Sequence, residues 1–283
     1  MTTILDKLAE STRARVAREK ARVGPEEMRA AALAVAATNA GGRSFWVSPA
    51  ARFEAALAKP GMSFICEVKK ASPSKGVIAE DFPYLEIARA YEAAGADVVS
   101  VLTEPEYFLG SIDYLREIAA AVRTPILRKD FIIDTYQIDQ ARAAGASAVL
   151  LITSLLGDKL GAFIAAARAA GLGALVEIHD ESEAVCAIEA GAAVVGVNNR
   201  DLKTFEVDAS RSARLRGLIP EGILFVAESG IRTADDVREA LAARADAVLV
   251  GEHLMRAENK AAALSALRSK TTGDEAKGEA DED

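Results

Sequence analysis

The stretch ILRKDFIID, from Ile126 to Asp134, joins two apolar runs through the charged triplet Arg128-Lys129-Asp130. The first run has the character of a buried parallel strand, which is predicted to end at Arg128. Lys129 then lies at the carboxyl tip of the strand and points into a pocket, where burial or a nearby charge can tune it as an acid. The same stretch also fits a charged cluster that closes an ordinary strand, and the flanking sequence decides between the two interpretations.

Short apolar runs alternate with alanine-rich segments from Ser63 onward, which is typical of βα units and a parallel sheet. Helix ends pass directly into strands in EAAGADVVSVL, RAAGASAVLLI, RAAGLGALVEI, IEAGAAVVGVN and LAARADAVLVG. Strands are predicted near residues 63–69, 97–102, 125–129, 147–152, 172–177, 193–198, 223–227 and 246–250. Helices are predicted near 82–94, 112–122, 134–144, 157–170, 181–190, 208–217, 233–243 and 255–269.

This series of βα units predicts an α/β protein, a closed (β/α)8 barrel with an N-terminal helical extension. A doubly wound open sheet is the alternative, but such a sheet usually has fewer strands and often carries a GxGxxG motif in its first turn. That motif is absent from the sequence.

Three regions are predicted along the chain. Residues 1–62 form the helical extension, with a break at Gly24-Pro25, a linker at Ala40-Gly41-Gly42 and a third helix from Ser48-Pro49. Trp46 is predicted to pack this extension onto the barrel. Residues 63–270 form the catalytic barrel. Residues 271–283 are acidic, contain no apolar residue beyond alanine, and are predicted to be a disordered tail.

The composition is that of an ordinary soluble globular protein, with 283 residues, 51% apolar and 27% charged. A net charge of −8 argues against general attraction to nucleic acid or membranes. Cys66 and Cys186 lack metal-ligand spacing and are predicted to be reduced residues of a cytoplasmic protein. His179 and His253 have no ligand partners at metal spacing, so each is interpreted as a surface or structural residue and no metal is expected.

The active site of such a barrel lies where its strands end, and polar residues recur at these positions. The strand ends carry Glu67, Lys69, Lys129, Glu177, Asn198, Asn199, Arg200, Glu228, Ser229, Gly230, Gly251 and Glu252. Each position alone is weak evidence, because charged residues close most strands. Together, the lysines and glutamates indicate proton transfers on an anionic substrate.

A phosphate site is predicted after the last two strands. Ser229-Gly230 and Gly251-Glu252 leave backbone N–H groups free at the starts of a loop and a helix, where such barrels often bind phosphate. Arg200 and Lys69 add positive charge. Alternatively, both glycines serve only as tight βα turns.

The motifs at these strand ends resemble those of the indole-3-glycerol phosphate synthase family of tryptophan biosynthesis. The resemblance runs from about Phe45 to Met255, in the family's order. Its motifs here are CEVKKASPSKG, LTEPEYFLGS, LRKDFIID, LVEIHDE, VNNRDLKTFEVD, AESGI and VGEHLM. It implies conversion of 1-(2-carboxyphenylamino)-1-deoxyribulose 5-phosphate to indole-3-glycerol phosphate, with release of carbon dioxide and water and without a cofactor.

The resemblance also implies roles for individual residues. Lys129 is the principal general acid, Glu177 serves the dehydration as acid or base, and Glu67 and Asn198 orient and stabilise the intermediate. Lys69 holds the substrate carboxylate or phosphate and is a candidate second acid. The phosphate-binding positions are Arg200, Ser229, Gly230, Gly251 and Glu252. Ser72 is expected to contact the substrate from a mobile loop, and Phe108, Phe131 and Leu151 are expected to line the aromatic pocket.

One departure from the family is Glu252, which stands where some relatives have a serine. Its side chain is expected to turn away from the phosphate, because a carboxylate would repel it. The chain ends soon after the eighth unit and is predicted to be monofunctional, acting on a small phosphorylated substrate as a monomer or weak homo-oligomer.

Two other functions are compatible with a phosphate-binding barrel. An isomerase of the same pathway would use a cysteine base with an aspartate acid, but Cys66 is predicted to lie on the strand face opposite Glu67 and Lys69. A barrel that binds a phosphorylated metabolite without turnover would not need the intact set of Lys129, Glu177 and Asn198.

Overall fold

A computed structural model describes residues 4–40, 48–201 and 204–269, without the side chains of residues 36–40. The predictions for Trp46, for the linker glycines Gly41-Gly42 and for the tail at residues 271–283 therefore lie outside the described residues. No helix in the described part of the chain is long and apolar enough to cross a membrane.

Eight parallel strands close into a barrel in which each strand pairs with its neighbours in the sequence, and the first pairs with the last. The strands are β1 (Ser63–Val68), β2 (Val98–Leu102), β3 (Ile126–Lys129), β4 (Ala148–Ile152), β5 (Gly173–Ile178), β6 (Val194–Asn198), β7 (Leu224–Glu228) and β8 (Ala247–Val250). The predicted strands and the barrel class are thus confirmed, and the open doubly wound sheet is wrong. A short antiparallel hairpin, Ala71–Ser72 with Gly76–Val77, follows β1.

The strands are buried on both faces, which explains their nearly continuous apolar sequences. Alternate residues of each strand face opposite ways. One set, including Ile65, Leu127 and Leu175, packs in the barrel interior. The other set, including Cys66 and Val149, packs against the surrounding helices.

Helices follow the strands and form the outer layer of the barrel. They are α4 (Tyr84–Ala93), α5 (Ile112–Ala121), α6 (Tyr136–Ala143), α7 (Thr153–Leu156), α8 (Leu160–Ala169), α9 (Glu181–Glu189), α10 (Ser210–Arg216), α11 (Ala234–Ala242), α12 (Glu252–Arg256) and α13 (Lys260–Arg268). The single helix predicted at 255–269 is wrong. Two helices stand there, and Asn259 caps the second by accepting a hydrogen bond from the backbone of Ala262 at 2.9 Å.

Three helices precede the barrel: α1 (Ile4–Arg22), α2 (Pro25–Ala40) and α3 (Pro49–Leu57). The break at Gly24-Pro25 is confirmed, with Pro25 as the first residue of α2. Phe53 of α3 lies against Gly173 at the amino end of β5, so this helix covers the bottom of the barrel. The division of the chain into regions 1–62, 63–270 and 271–283 stays a prediction.

A buried ion network fixes α1 at the other end of the barrel. Arg15 donates to both oxygens of Asp130, at 3.0 and 2.7 Å. Arg128 and Thr103 also donate to Asp130 Oδ2, at 2.9 and 2.6 Å. The network therefore joins α1 to the residues on either side of Lys129, at the carboxyl end of β3.

Candidate active site

A pocket of about 450 Å³ opens at the carboxyl ends of the strands, within the usual size range of small-molecule sites. The strand-end residues predicted for catalysis line it: Glu67, Lys69, Lys129, Glu177 and Asn198. The predicted binding residues that also line it are Ser72, Phe108, Phe131, Arg200, Ser229, Gly230, Gly251 and Glu252. The barrel therefore brings together side chains that are far apart in the sequence.

Lys129 occupies the centre of the charged part of the pocket. Its Nζ lies 3.3 Å from Glu177 Oε2 and 3.2 Å from Glu228 Oε2. Burial opposes the ammonium charge, but the two carboxylates outweigh burial and raise the pKa of Lys129 above its usual range. Lys129 therefore carries its proton and its positive charge at neutral pH.

Glu177 is buried and is surrounded by groups that favour its ionised form. Burial would raise its pKa, but Lys129 and His179 reverse the effect and lower it. The Asn198 side chain donates to Glu177 Oε1 at 3.2 Å. Asn198 is in turn held through Oδ1, which accepts hydrogen bonds from Ser229 Oγ at 2.9 Å and from the Arg200 backbone at 3.0 Å. This chain of contacts links the centre of the pocket to the predicted phosphate site.

Glu228 stands across the pocket from β3, and its environment differs from that of Glu177. Burial and the charges of Glu177 and Glu67 together raise the pKa of Glu228 to about 7, although Lys129 opposes them. Its Oε1 has no hydrogen-bond partner among the described residues. Gly196 leaves room for it, because a Cβ there would stand 2.2 Å from this oxygen. One carboxylate beside Lys129 is thus ionised, while the other holds a proton readily.

Glu67 and Lys69 lie on the inner face of β1 and form an ion pair, as their spacing predicts. Gly251 allows this pair its position, since a Cβ on Gly251 would stand 2.3 Å from Glu67 Oε1 and 2.9 Å from Lys69 Nζ. Cys66 points to the outer layer, where burial raises the pKa of its thiol to about 12. The position and pKa of Cys66 are unsuitable for the cysteine base of the alternative isomerase.

The predicted phosphate end of the pocket contains backbone in the left-handed region. Ser229 has φ 64° and Gly230 has φ 94°, so two successive residues after β7 adopt this conformation. Gly251 has φ −115°, so of the two glycines at this end Gly230 alone has the positive φ that would strain a substitution. The Glu252 carboxylate accepts a hydrogen bond from Arg256 Nε at 3.1 Å.

The opposite side of the pocket is apolar. Phe108 and Phe131 lie with ring centroids 6.0 Å apart, beside Leu150 and Ile152. The predicted role of Leu151 in this lining is wrong, because Leu151 packs in the outer layer with the helices. The alternation of side chains along β4 turns its two neighbours inward instead.

Sequence reasoning missed several residues that line or contact the pocket. Ile4 and Leu8 of α1 reach it from the extension, and His253 lines it. His179 is not a surface residue, since its side chain is 15% exposed and Nε2 lies 3.3 Å from Glu177 Oε1. Its placement was predictable, because residues 177 and 179 share one strand face as residues 67 and 69 do.

Within the described residues, no group of three or more His, Cys, Asp or Glu side chains has the arrangement of a metal site.

Known proteins resemble this chain in both sequence and fold. It is 52% identical over 266 residues to the indole-3-glycerol phosphate synthase of Ruminiclostridium cellulolyticum, which covers 94% of this chain and 98% of that protein. It is 48% identical to the enzyme of that name from Endomicrobium trichonymphae, covering 94% of this chain and 99% of the relative. Thiamine phosphate pyrophosphorylase from Pyrococcus furiosus shares the fold, with a TM-score of 0.56 at 19% identity over 77% of this chain and 96% of that chain.

The match to a family extends over both the helical extension and the barrel. The family model for indole-3-glycerol phosphate synthase covers residues 5–267, which include every side chain of the charged pocket. Because relatives that are about 50% identical also match the chain over nearly their whole length, the chain belongs to the indole-3-glycerol phosphate synthase family.

Proposed function

We propose that this pocket catalyses the ring closure, decarboxylation and dehydration of 1-(2-carboxyphenylamino)-1-deoxyribulose 5-phosphate to indole-3-glycerol phosphate. The observation that carries the proposal is the position of Lys129 between Glu177 and Glu228, at 3.3 and 3.2 Å. The pocket around it has one apolar side and one side lined by Arg200, Ser229 and Gly230. The substrate has matching parts: an aromatic ring, a ketone that must be protonated, and a phosphate.

The first step needs an acid. The aromatic carbon that bears the carboxylate attacks the ketone carbon, and the ketone oxygen takes a proton to become a hydroxyl group. Lys129 supplies this proton in our proposal, since its charged form is maintained by the two carboxylates beside it. The bond formed leaves positive charge on the ring nitrogen, and the ionised Glu177 stabilises that charge.

Loss of carbon dioxide then returns an electron pair to the ring and neutralises the nitrogen. Lys69 is proposed to hold the substrate carboxylate before this step, or the phosphate, and to be the candidate second acid. Its ion pair with Glu67 keeps the ammonium group at the pocket wall. Glu67 and Asn198 are proposed to orient the intermediate through their contacts with Lys69 and Glu177.

Dehydration requires a proton on the departing hydroxyl group and removal of a proton from the neighbouring ring carbon. Glu177 is proposed to serve this step as acid or base, because it lies beside Lys129 and is held in place by Asn198. Over the whole sequence two protons are delivered to oxygen and one is taken from carbon. One proton is therefore taken up for each ionised carboxylate that leaves as carbon dioxide.

The substrate phosphate is proposed to bind where Ser229-Gly230 and Gly251-Glu252 present backbone N–H groups. Arg200 lines the same end and adds a positive charge. Phe108 and Phe131 are proposed to contact the aromatic ring of the substrate. Ser72, in the hairpin after β1, is proposed to contact the substrate as well.

The cellular location, the partners and the oligomeric state of the enzyme are also proposals. The net charge of −8 supports a protein that acts without nucleic acid, and the free cysteines Cys66 and Cys186 support a cytoplasmic one. We infer a monomer or weak homo-oligomer, because one chain supplies every residue used above.

One assay tests this function directly. The purified chain is given the carboxyphenylamino-deoxyribulose phosphate, and formation of indole-3-glycerol phosphate is followed by fluorescence. We expect product formation with release of carbon dioxide. Tight substrate binding without product would favour the non-catalytic barrel. The isomerase would be favoured if a parallel assay showed isomerisation of a phosphoribosyl precursor while this substrate underwent no ring closure.

A further inference from the structure

His179 lies between the buried Glu177 and the helix that follows β5. Its Nε2 is 3.3 Å from Glu177 Oε1, and its Nδ1 is 3.0 Å from Glu183 Oε2. The Nε2 distance is that of an ion pair rather than of an aligned hydrogen bond, since the buried Nε2 has no aligned acceptor among the described residues. Both ring nitrogens thus face carboxylate oxygens.

An imidazole with a carboxylate beside each nitrogen is most stable when both nitrogens carry protons, because the ring is then positively charged. Burial opposes the charge, but Glu177 and Glu183 outweigh burial and raise the pKa of His179 to about 10. Asp180 also lies within electrostatic range of the ring, and the charged Lys129 contacts the other oxygen of Glu177. His179 is therefore an imidazolium cation at neutral pH.

The outer partner of His179 is fixed by the start of α9. Asp180 caps this helix by accepting a hydrogen bond from the Glu183 backbone at 2.9 Å. The Glu183 carboxylate in turn accepts a hydrogen bond from the His179 backbone at 2.8 Å, in addition to its contact with the ring. The helix terminus thus holds Glu183, and Glu183 holds the imidazolium.

The two carboxylates beside Lys129 differ in one respect that His179 explains. Glu177 has Lys129 on Oε2 and both His179 and Asn198 on Oε1, whereas Glu228 Oε1 has no hydrogen-bond partner in the described part of the chain. Two like charges that share one lysine cannot both be ionised at low cost in a buried site. A second cation on one of them decides which carboxylate keeps the charge and which takes the proton.

We propose that His179 is a positioning residue that acts through Glu177: its imidazolium holds Glu177 ionised and directed at Lys129, and so leaves the exchangeable proton on Glu228. The inference rests on the proposed function, because it matters for turnover only if Lys129 and Glu177 carry the reaction. It also explains why Glu177 is the ionised carboxylate and Glu228 the protonated one, without any contact between His179 and the substrate.

Kinetics of two His179 variants test this role. His179→Gln keeps a donor at the reach of Nε2 but removes the charge, and His179→Phe removes both. We expect His179→Phe to lower kcat about tenfold or more with little change in KM, and to shift the pH profile of kcat, because a charge-assisted contact to Glu177 is lost. His179→Gln should recover part of kcat.

Glu183→Gln should also lower kcat and shift its pH profile, but by less than His179→Phe, since it removes the charge that holds the imidazolium. Glu181→Gln is the matched control, because Glu181 is an exposed acid in the same first turn of α9, and parent kinetics are expected for it. Parent values of kcat and an unshifted pH profile in folded His179→Phe would overturn the proposal, whatever happens to its melting temperature.

An NMR titration tests the electrostatic part without relying on turnover. The chain has only 2 histidines, so carbon-labelled histidine gives two ring signals, and His253→Asn identifies the signal of His179. We expect His179 to stay protonated through pH 8 in the parent and to titrate at lower pH in Glu177→Gln. Titration near the ordinary value of about 6.5, or no response to Glu177→Gln, would overturn the proposal. A parent that makes no product would contradict the proposed function alone, since the His179 signal still tests the contact with Glu177.

Discussion

Arg15 in the first helix donates to both carboxylate oxygens of Asp130, the residue that follows Lys129. The pair is buried, and Arg15 with Arg128 holds the pKa of Asp130 well below its usual range despite the opposing effect of burial. The helical extension is thus tied directly to the strand end that carries the proposed acid. Ile4 and Leu8 of the same helix line the pocket, so this ion pair also supports one wall of the site.

Replacement of Arg15 by alanine should destabilise the fold. Removing one partner of a buried ion pair leaves the other charge uncompensated and typically costs about 3–5 kcal/mol. We expect the lower end of that range, because Arg128 still contacts Asp130 at 2.9 Å. Urea unfolding measures the change. Arg13→Ala is the control, since Arg13 is an exposed residue of the same helix and its loss should leave stability nearly unchanged. Equal stability of the two variants would show that the pair does not anchor the extension.

Glu228→Gln should alter how stability depends on pH. The folded state holds a proton on Glu228 up to about pH 7, whereas the unfolded chain loses it near the ordinary value of 4.5. Glu228 therefore stabilises the parent fold less as pH rises through this range. The variant has no such group, so its melting temperature relative to the parent should increase from pH 5 to pH 8. A constant difference across this range would show that Glu228 has an ordinary pKa.

Gly251→Ala should lower turnover through a steric effect. The new Cβ would stand 2.3 Å from Glu67 Oε1 and 2.9 Å from Lys69 Nζ, so their ion pair must move. Gly217→Ala is the matched control, because its Cβ would meet nothing closer than the Arg214 carbonyl oxygen at 3.8 Å. Steady-state kinetics compare the two. Parent kcat and KM in Gly251→Ala would indicate that the position of the pair is unimportant for the reaction.

Arg200→Ala should weaken substrate binding. If the guanidinium contacts the phosphate, its loss removes a charge-assisted hydrogen bond of about 1.5–3 kcal/mol, and KM should rise accordingly. Glu177→Gln should instead lower kcat while leaving KM less affected, because it keeps the shape of the side chain. Measuring both constants for both variants separates binding from chemistry. An unchanged KM in Arg200→Ala would place the phosphate elsewhere.

The positions of the strand-end residues could be predicted because the alternation of apolar runs and helices fixes where each strand ends. Lys129, Glu177 and Asn198 were found in this way, and the barrel closes them around one pocket. The contact between Lys129 and Glu228 could not be predicted from spacing, since it crosses the barrel between strands almost a hundred residues apart. The distance between two side chains on opposite sides of a barrel depends on the register of its strands, and a local sequence pattern does not specify that register.

For two residues the sequence carries a signal that corrects the prediction. The resemblance places Leu151 in the pocket, but the alternation of side chains along a strand decides which of its residues face inward. His179 is predicted to be a surface or structural residue, and its position two residues after Glu177 excludes the surface, as the structure does. The role of Arg15 had no such signal, because a charged residue in a polar helix usually faces solvent.

The rate of indole-3-glycerol phosphate formation by Lys129→Ala tests the central claim most directly. Lys159→Ala, a change at an exposed lysine, is the control and should match the parent. The variant should remain folded, because Glu228 takes up a proton readily when the ammonium group is removed. Loss of the general acid predicts a fall in kcat of about two to four orders of magnitude. A folded Lys129→Ala enzyme with kcat within about tenfold of the parent, less than general acid catalysis supplies, would contradict the account.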